Sequence, residues 1–153
     1  MALSIPSTGP ASLMSIAAIV EKYGALPPSY LKFLAAHDGA TPPENVVAGT
    51  NNNVGVRSFL PASEIVATAT TVDGMSSKLI PVADDESGNF VCIGSDDQKV
   101  YFWDHEVDRD KVIAENFEEF IEKLEPFDIS SVKLRPGQVK RVWVNPDFKP
   151  ELR

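Results

Sequence analysis

Residues 79–124 read LIPVADDESGNFVCIGSDDQKVYFWDHEVDRDKVIAENFEEFIEKL, and this stretch decides the fold. Leu79 to Ala83, Phe90 to Ile93 and Val100 to Trp103 are short runs rich in β-branched and aromatic residues. Such side chains fit a half-buried pleated surface. Ser87-Gly88-Asn89 joins the first two runs, and Ser95 to Gln98 joins the second and third. Tight turns between successive strands predict an antiparallel meander, because parallel strands need a crossover of a dozen residues or more. Asp104 to Asp110 then reads as an acidic loop. At the end the period changes: Phe117, Phe120, Ile121 and Leu124 fall at i, i+3, i+4 and i+7, one face of a helix. Asn116 is its natural N-cap, and Glu118 and Glu119 suit the positive end of its dipole.

Working outward, Ser12 to Tyr23 predicts a first helix with Leu13, Ile16, Ala17 and Val20 on its buried face and Gly24 as its stop. Pro28 suits the first turn of a second helix, whose apolar face carries Tyr30, Phe33, Leu34 and His37. Gly39 ends it by turning left-handed. Thr41 to Asn53 is loop-like, with Pro42-Pro43 and a run of three asparagines. Val54 to Leu60 predicts a strand, and Pro61 to Glu64 opens a short third helix bearing Ile65, Val66 and Ala69. Helices set against an antiparallel meander give an α+β domain, with the helices covering one face of the sheet.

A chain of 153 residues fits one domain with a single sizeable core. No apolar run approaches the roughly 20 residues of a membrane span. No positive charge precedes the first apolar segment, so a secretory signal is not expected. The lone Cys92 has no internal partner, and a reducing cytoplasm is the simplest home. Residues 1–125 hold 8 Lys/Arg against 19 Asp/Glu, a net −11, whereas residues 126–153 hold 6 against 3, a net +3. An acidic body repels nucleic-acid phosphates and attracts basic partners. The same charge also serves plain solubility.

The segment Leu26-Pro27-Pro28-Ser29-Tyr30-Leu31-Lys32-Phe33-Leu34, followed by His37-Asp38-Gly39, resembles the "LP..y..fL...nG" signature of the SUKH superfamily. Ile80-Pro81-Val82-Ala83-Asp84 with Gly88-Asn89-Phe90, Val100 to Glu106, and Ile113 to Ile121 resemble three further elements, in the same order, over about 100 residues. The superfamily takes in Smi/Knr-type fungal cell-wall regulators and many bacterial immunity proteins. The resemblance implies a bent antiparallel sheet flanked by helices, no catalytic residues and no cofactor. It also implies a protein partner: a toxin, often a nuclease, for bacterial members. The expected organisation is a loose leader over 1–10, the SUKH-like domain over 11–125, and a basic, proline-containing extension over 126–153 that is partly docked.

Asp84-Asp85-Glu86, Asp96-Asp97 and Asp104 to Asp110 supply nine of the body's carboxylates. The turns of a meander alternate between its ends, so the loop after Trp103 returns to the end that holds Asp84-Asp85-Glu86. The expected partner-binding residues are therefore Asp84, Asp85, Glu86, Asp104, Glu106, Asp108 and Asp110, with Trp103 as an apolar anchor. Against this stands the plain reading that turns are acidic because they are exposed, and that Trp103 belongs to the core. Asp104 to Asp110 lacks the central glycine and terminal glutamate of a calcium loop, so no metal is expected. His37 reads as a core or helix-end histidine, and Cys92 as a small core residue with no basic neighbour to activate it. Gly49 to Gly55 has the glycines of a phosphate loop without its Lys-Ser/Thr.

The expected function is a cytoplasmic, non-enzymatic immunity protein that binds a basic toxin domain, with neither nucleic acid nor membrane as direct partner. The alternative is a regulatory scaffold of the Smi/Knr type; a small enzyme is a distant third. Two roles are open to the basic extension: folding against the acidic body, or helping a second copy associate as a homodimer.

Overall fold

A computed structural model describes residues 3–50, 53–106 and 109–127. The described chain is α+β, with four helices, a five-stranded antiparallel sheet and a two-stranded one. α1 is Leu13–Tyr23 and α2 is Pro28–His37; β1 (Asn45–Val47) and β2 (Ser58–Phe59) follow, then α3 (Ala62–Thr71). The meander is β3 (Leu79–Asp84), β4 (Phe90–Gly94), β5 (Val100–Asp104) and β6 (Arg109–Ala114). α4 (Phe117–Lys123) and β7 (Leu124–Pro126) close it.

The large sheet runs β2-β3-β4-β5-β6, each strand antiparallel to the next. The predicted three-stranded meander is its centre. β6 is not among the expected strands: Arg109 and Asp110 read as the end of an acidic loop, yet they pair with Asp104 and Trp103, and Lys111 pairs with Phe102. The pairing shifts register between Pro81 and Ala83 and again between Val100 and Tyr101. Such irregularities bend a strand and sharpen its twist.

Alternation divides the sheet into two faces. Ile80, Val82, Val91, Ile93 and Val100 join the main core, with residues of all four helices. Phe33 lies at its centre, with ring centroids 4.6 Å from Phe59 and 5.3 Å from Phe117. Tyr30 meets Phe117 edge-on at 5.1 Å. Such contacts add about 0.5–1.5 kcal/mol per pair beyond the area they bury. α4 begins as its sequence predicts: Asn116 Oδ1 accepts from the Glu119 amide at 2.7 Å, and Glu119 Oε1 accepts from the Glu115 amide at 2.7 Å.

α1 keeps its predicted ends, with Ser12 accepting from the Ser15 amide and Gly24 at φ +94°. Its predicted face is only partly right, since Ile16 packs against the core as expected and the rest of that stripe does not. Leu13 is 84% exposed and Val20 39%, whereas Ile19 is fully buried and Ile16 and Tyr23 are half-buried against the core. Both sets repeat with a helical period; packing on α3 selects the second. Leu124 is buried as expected, but as the first residue of β7 rather than as part of the helix.

β1 falls where a loop was expected, because its partner β7 lies far along the chain: Asn45 faces Pro126 and Val47 faces Leu124. The expected strand from Val54 to Leu60 shrinks to Ser58–Phe59. Residues before it still run beside β1. The Asn45 side chain donates to the Val56 carbonyl and accepts from the Val56 amide, both at 2.9 Å. A Cβ on Gly55 would stand 2.7 Å from the Asn45 carbonyl oxygen, so the approach requires glycine. Residues 3–10, expected as a loose leader, lie along the end of α2. Leu3 is buried, the Thr8 amide donates to the Ala36 carbonyl, and His37 Nδ1–H donates to the Pro6 carbonyl at 2.8 Å.

The phase of α1 gives a direct prediction. Ile19→Ala is expected to lower the unfolding free energy by about 2–5 kcal/mol and Leu13→Ala by no more than about 0.5 kcal/mol. Urea titration followed by circular dichroism measures both, and equal losses would contradict the packing.

Candidate functional site

The register of the large sheet fixes where the acidic residues meet. Asp84 faces Phe90, Phe90 faces Trp103, and Trp103 faces Asp110, so one row crosses the sheet with a carboxylate on either side of two aromatics. The β3–β4 turn and the loop after β5 therefore share one end of the meander. A side-chain bridge ties them together. Asn89 Oδ1 accepts from the His105 amide at 3.0 Å and from His105 Nδ1–H at 2.7 Å. The same asparagine donates to Asp85 Oδ2 at 3.0 Å.

The carboxylates of this end have different tasks. Asp85 Oδ1 accepts from the amides of Ser87 at 2.8 Å and Asn89 at 2.9 Å, which shapes the turn. Asp104 Oδ1 accepts from the Glu106 amide at 2.9 Å in the same manner. Asp84 pairs with Arg57 at 2.7 Å. Glu86, Glu106 and Asp110 are exposed. A polar cleft of about 190 Å³ adjoins Glu86 and is bordered by Arg57, Asp85 and Asn53. Asp108 lies outside the described residues.

Trp103 does not present itself to a partner. It is 3% exposed and packs with Leu79 and Cys92 in a small second cluster on the sheet face opposite the main core, beside Val72, Met75, Phe90 and Tyr101. Strand alternation explains this, since Trp103 and Tyr101 point away from the face that carries Val100 and Phe102. Trp103 thus lies buried within the row that Asp84 and Asp110 flank.

Asp96 and Asp97 lie at the other end of the meander. Asp96 pairs with the exposed Lys78 at 2.8 Å. Asp97 accepts the Tyr101 hydroxyl at 2.6 Å, and this bond holds its carboxyl below the usual carboxylate range. The same bond, with burial and nearby acidic charge, pushes the Tyr101 phenol up to about 12.

The remaining chemistry-bearing residues have structural partners. His37 is held by Pro6 and packs 5.0 Å from Phe33. Burial, with the charge of Asp110, pushes the Cys92 thiol far up and leaves it a poor nucleophile. Thr50, in the glycine-flanked loop, donates to the Val47 carbonyl at 2.7 Å and accepts from the Val54 amide. Among the described residues, no three His, Cys, Asp or Glu side chains come close enough to share a metal ion. No helix among them is long and apolar enough to cross a membrane.

Comparison with known proteins agrees with this architecture. The profile of the SMI1 / KNR4 family (SUKH-1) matches residues 10–123, most of the chain and nearly all of the described fold. The chain belongs to that family. It is also similar to the SPbeta prophage-derived uncharacterized protein YokK of Bacillus subtilis (strain 168), with 41% identity over 59 residues. That match covers 36% of this chain and 31% of the relative, so the chain spans about a third of that protein's length.

Within this SUKH fold the motif residues are architectural. Leu26, Tyr30, Phe33 and Leu34 are buried. Asp38 Oδ1 accepts from the Ala62 amide at 2.7 Å, capping α3 from a distant segment. Gly39 has φ +69° and lies against Pro61, which precedes that helix.

Two measurements follow. Asn89→Ala removes the bridge between the acidic loops and is expected to cost about 1–2 kcal/mol, while Glu86→Ala stays within about 0.5 kcal/mol of wild type; chemical denaturation reads both. Tyr101→Phe is expected to cost only about 0.5 kcal/mol, since the bond it removes is screened by solvent. A raised phenol pKa stabilises the fold fully below its ordinary value of 10.0, and that contribution is lost as pH climbs toward about 12. A lowered carboxyl pKa stabilises above the ordinary 3.8 and is lost as acid protonates Asp97. Wild type and variant should therefore converge in thermal midpoint at both extremes, and a pH-independent gap would contradict the assignment.

Proposed function

We propose that this protein is an immunity protein, which binds a basic toxin domain in the cytoplasm and blocks its active site or substrate groove without any turnover. The observation that carries this reading is the Asn89–His105 bridge, which gathers the β3–β4 turn and the loop after β5 into one acidic surface. Glu86, Glu106 and Asp110 stand exposed there, with Trp103 buried in the same cross-strand row as Asp110. Loops already tied together by a side-chain bridge lose less entropy on meeting a basic groove than untied loops do. They speed association and discriminate among partners more than they deepen affinity. A contact of standard size, about 1,600 Å² in total, is expected.

Membership of the SUKH-1 family supports a protein partner rather than a small substrate. A relative carried by a prophage accords with an immunity role. The histidines and the cysteine all serve packing or turns, which supports a binding module rather than an enzyme.

The test is affinity capture from the native cell with wild type and with the triple variant Glu86→Lys, Glu106→Lys, Asp110→Lys, retained proteins being identified by mass spectrometry. Wild type should hold one basic toxin domain in a 1:1 ratio, released faster as salt is raised. The variant should hold it at least about tenfold less tightly, the loss of one or two close charge pairs. Equal retention of the toxin by the variant would reject this surface. Capture of an envelope or biosynthetic complex instead would favour the regulatory scaffold.

A further inference from the structure

A second concave surface lies away from the acidic loops, between α2 and α4. It is an open groove of about 560 Å³, in the size range of binding sites. Its floor is apolar and rests on Phe33, Phe117 and Ile121. Glu118 and Glu122, one turn apart on α4, form one rim, with Lys32 on the other. Both glutamates are exposed. The groove calls for an occupant with an apolar core and positive charge toward α4.

We propose that the basic segment from Val139 to Val144 of the same chain, VKRVWV, docks in this groove, with Trp143 on the apolar floor and Lys140 and Arg141 toward Glu118 and Glu122. Three observations favour this occupant. The segment joins a large aromatic anchor to two adjacent cations, the composition that the floor and the α4 rim match. Its surroundings are basic where the body is acidic, net +3 against −11. The chain leaves the described fold close by: β7 follows α4 without a break, and the Phe127 amide donates to the Glu44 carbonyl. Eleven residues lie between Phe127 and Val139, and an extended chain of that length spans about 40 Å, ample to turn back over α4. The contact makes the extension part of the fold and covers an apolar surface that would otherwise face solvent.

The experiment uses the full chain with Asn145→Cys carrying a nitroxide. Cys92 is fully buried and its thiol is poorly ionised, so the label goes to the introduced cysteine. Paramagnetic broadening of backbone amide signals then reports where the segment lies. The expected result is broadening at Ser29, Ala36 and Ile121, which line the groove. It should fall by roughly half or more in Glu118→Gln/Glu122→Lys, and likewise at high salt. Circular dichroism confirms that this variant folds. Broadening centred on the Asp85 and Glu106 loops, or spread evenly over the surface, would overturn the proposal. So would broadening that needs the label and the isotope on different chains, because the occupant would then be the extension of a second copy. Toxin capture and this broadening are separate readouts, so either can fail without the other.

Discussion

Phe33 is the point at which the fold is joined. It touches Phe59 on the short edge strand β2, Phe117 at the start of α4, and Tyr30 and His37 on its own helix. Those contacts bring α2 and α4 together over the inner face of the sheet. Burying a ring of this size stabilises the fold by about 1.5–3 kcal/mol before specific ring geometry is counted. Its position decides more than stability. α4 runs directly into β7, which pairs with β1, so the aromatic junction also fixes the second, smaller sheet. The groove between α2 and α4 lies on the outer side of this same junction.

At the acidic end of the meander the carboxylates divide between those that build the loops and those left on the surface. Asp85 and Asp104 are consumed by their own turns, and Asp84 by Arg57. Only after these have shaped the loops do Glu86, Glu106 and Asp110 stand free toward solvent. The structural reading of the acidic turns therefore covers Asp84, Asp85 and Asp104, and leaves Glu86, Glu106 and Asp110 as the exposed carboxylates. Asn89 couples them, because one amide side chain fixes the first loop through Asp85 and holds the second through His105.

The elements that were legible in the sequence are those whose signals are local. α2, α3, the β3–β4–β5 meander and α4 announce themselves by caps, turn residues and period within a few residues of where they form. The co-location of the Asp84 and Asp104 loops was legible too, since alternation of turns is a property of any meander. What was hidden depends on partners far away. β1 is a strand because β7 lies against it, and nothing near Asn45 says so. β6 is concealed because edge strands carry charge, and Arg109 and Asp110 look like loop. The face of α1 is ambiguous because Leu13/Ile16/Ala17/Val20 and Ile16/Ile19/Tyr23 are both helical stripes that share Ile16, and only α3 chooses. Trp103 gave two readings for the same reason: the sequence marks it as apolar and large, while the second cluster around Leu79 and Cys92 exists only in three dimensions.

The borders of the large sheet carry one more consequence. Outer strands offer unpaired backbone groups that invite copies of a protein to zip together into aggregates. Here one border, β2, is cut to two residues, and the other, β6, places Asp110 and Lys111 side by side with Val112. A stacked neighbour would set those charges in register against its own. The brevity of β2 and the charge carried on β6 thus work against edge-to-edge stacking of copies.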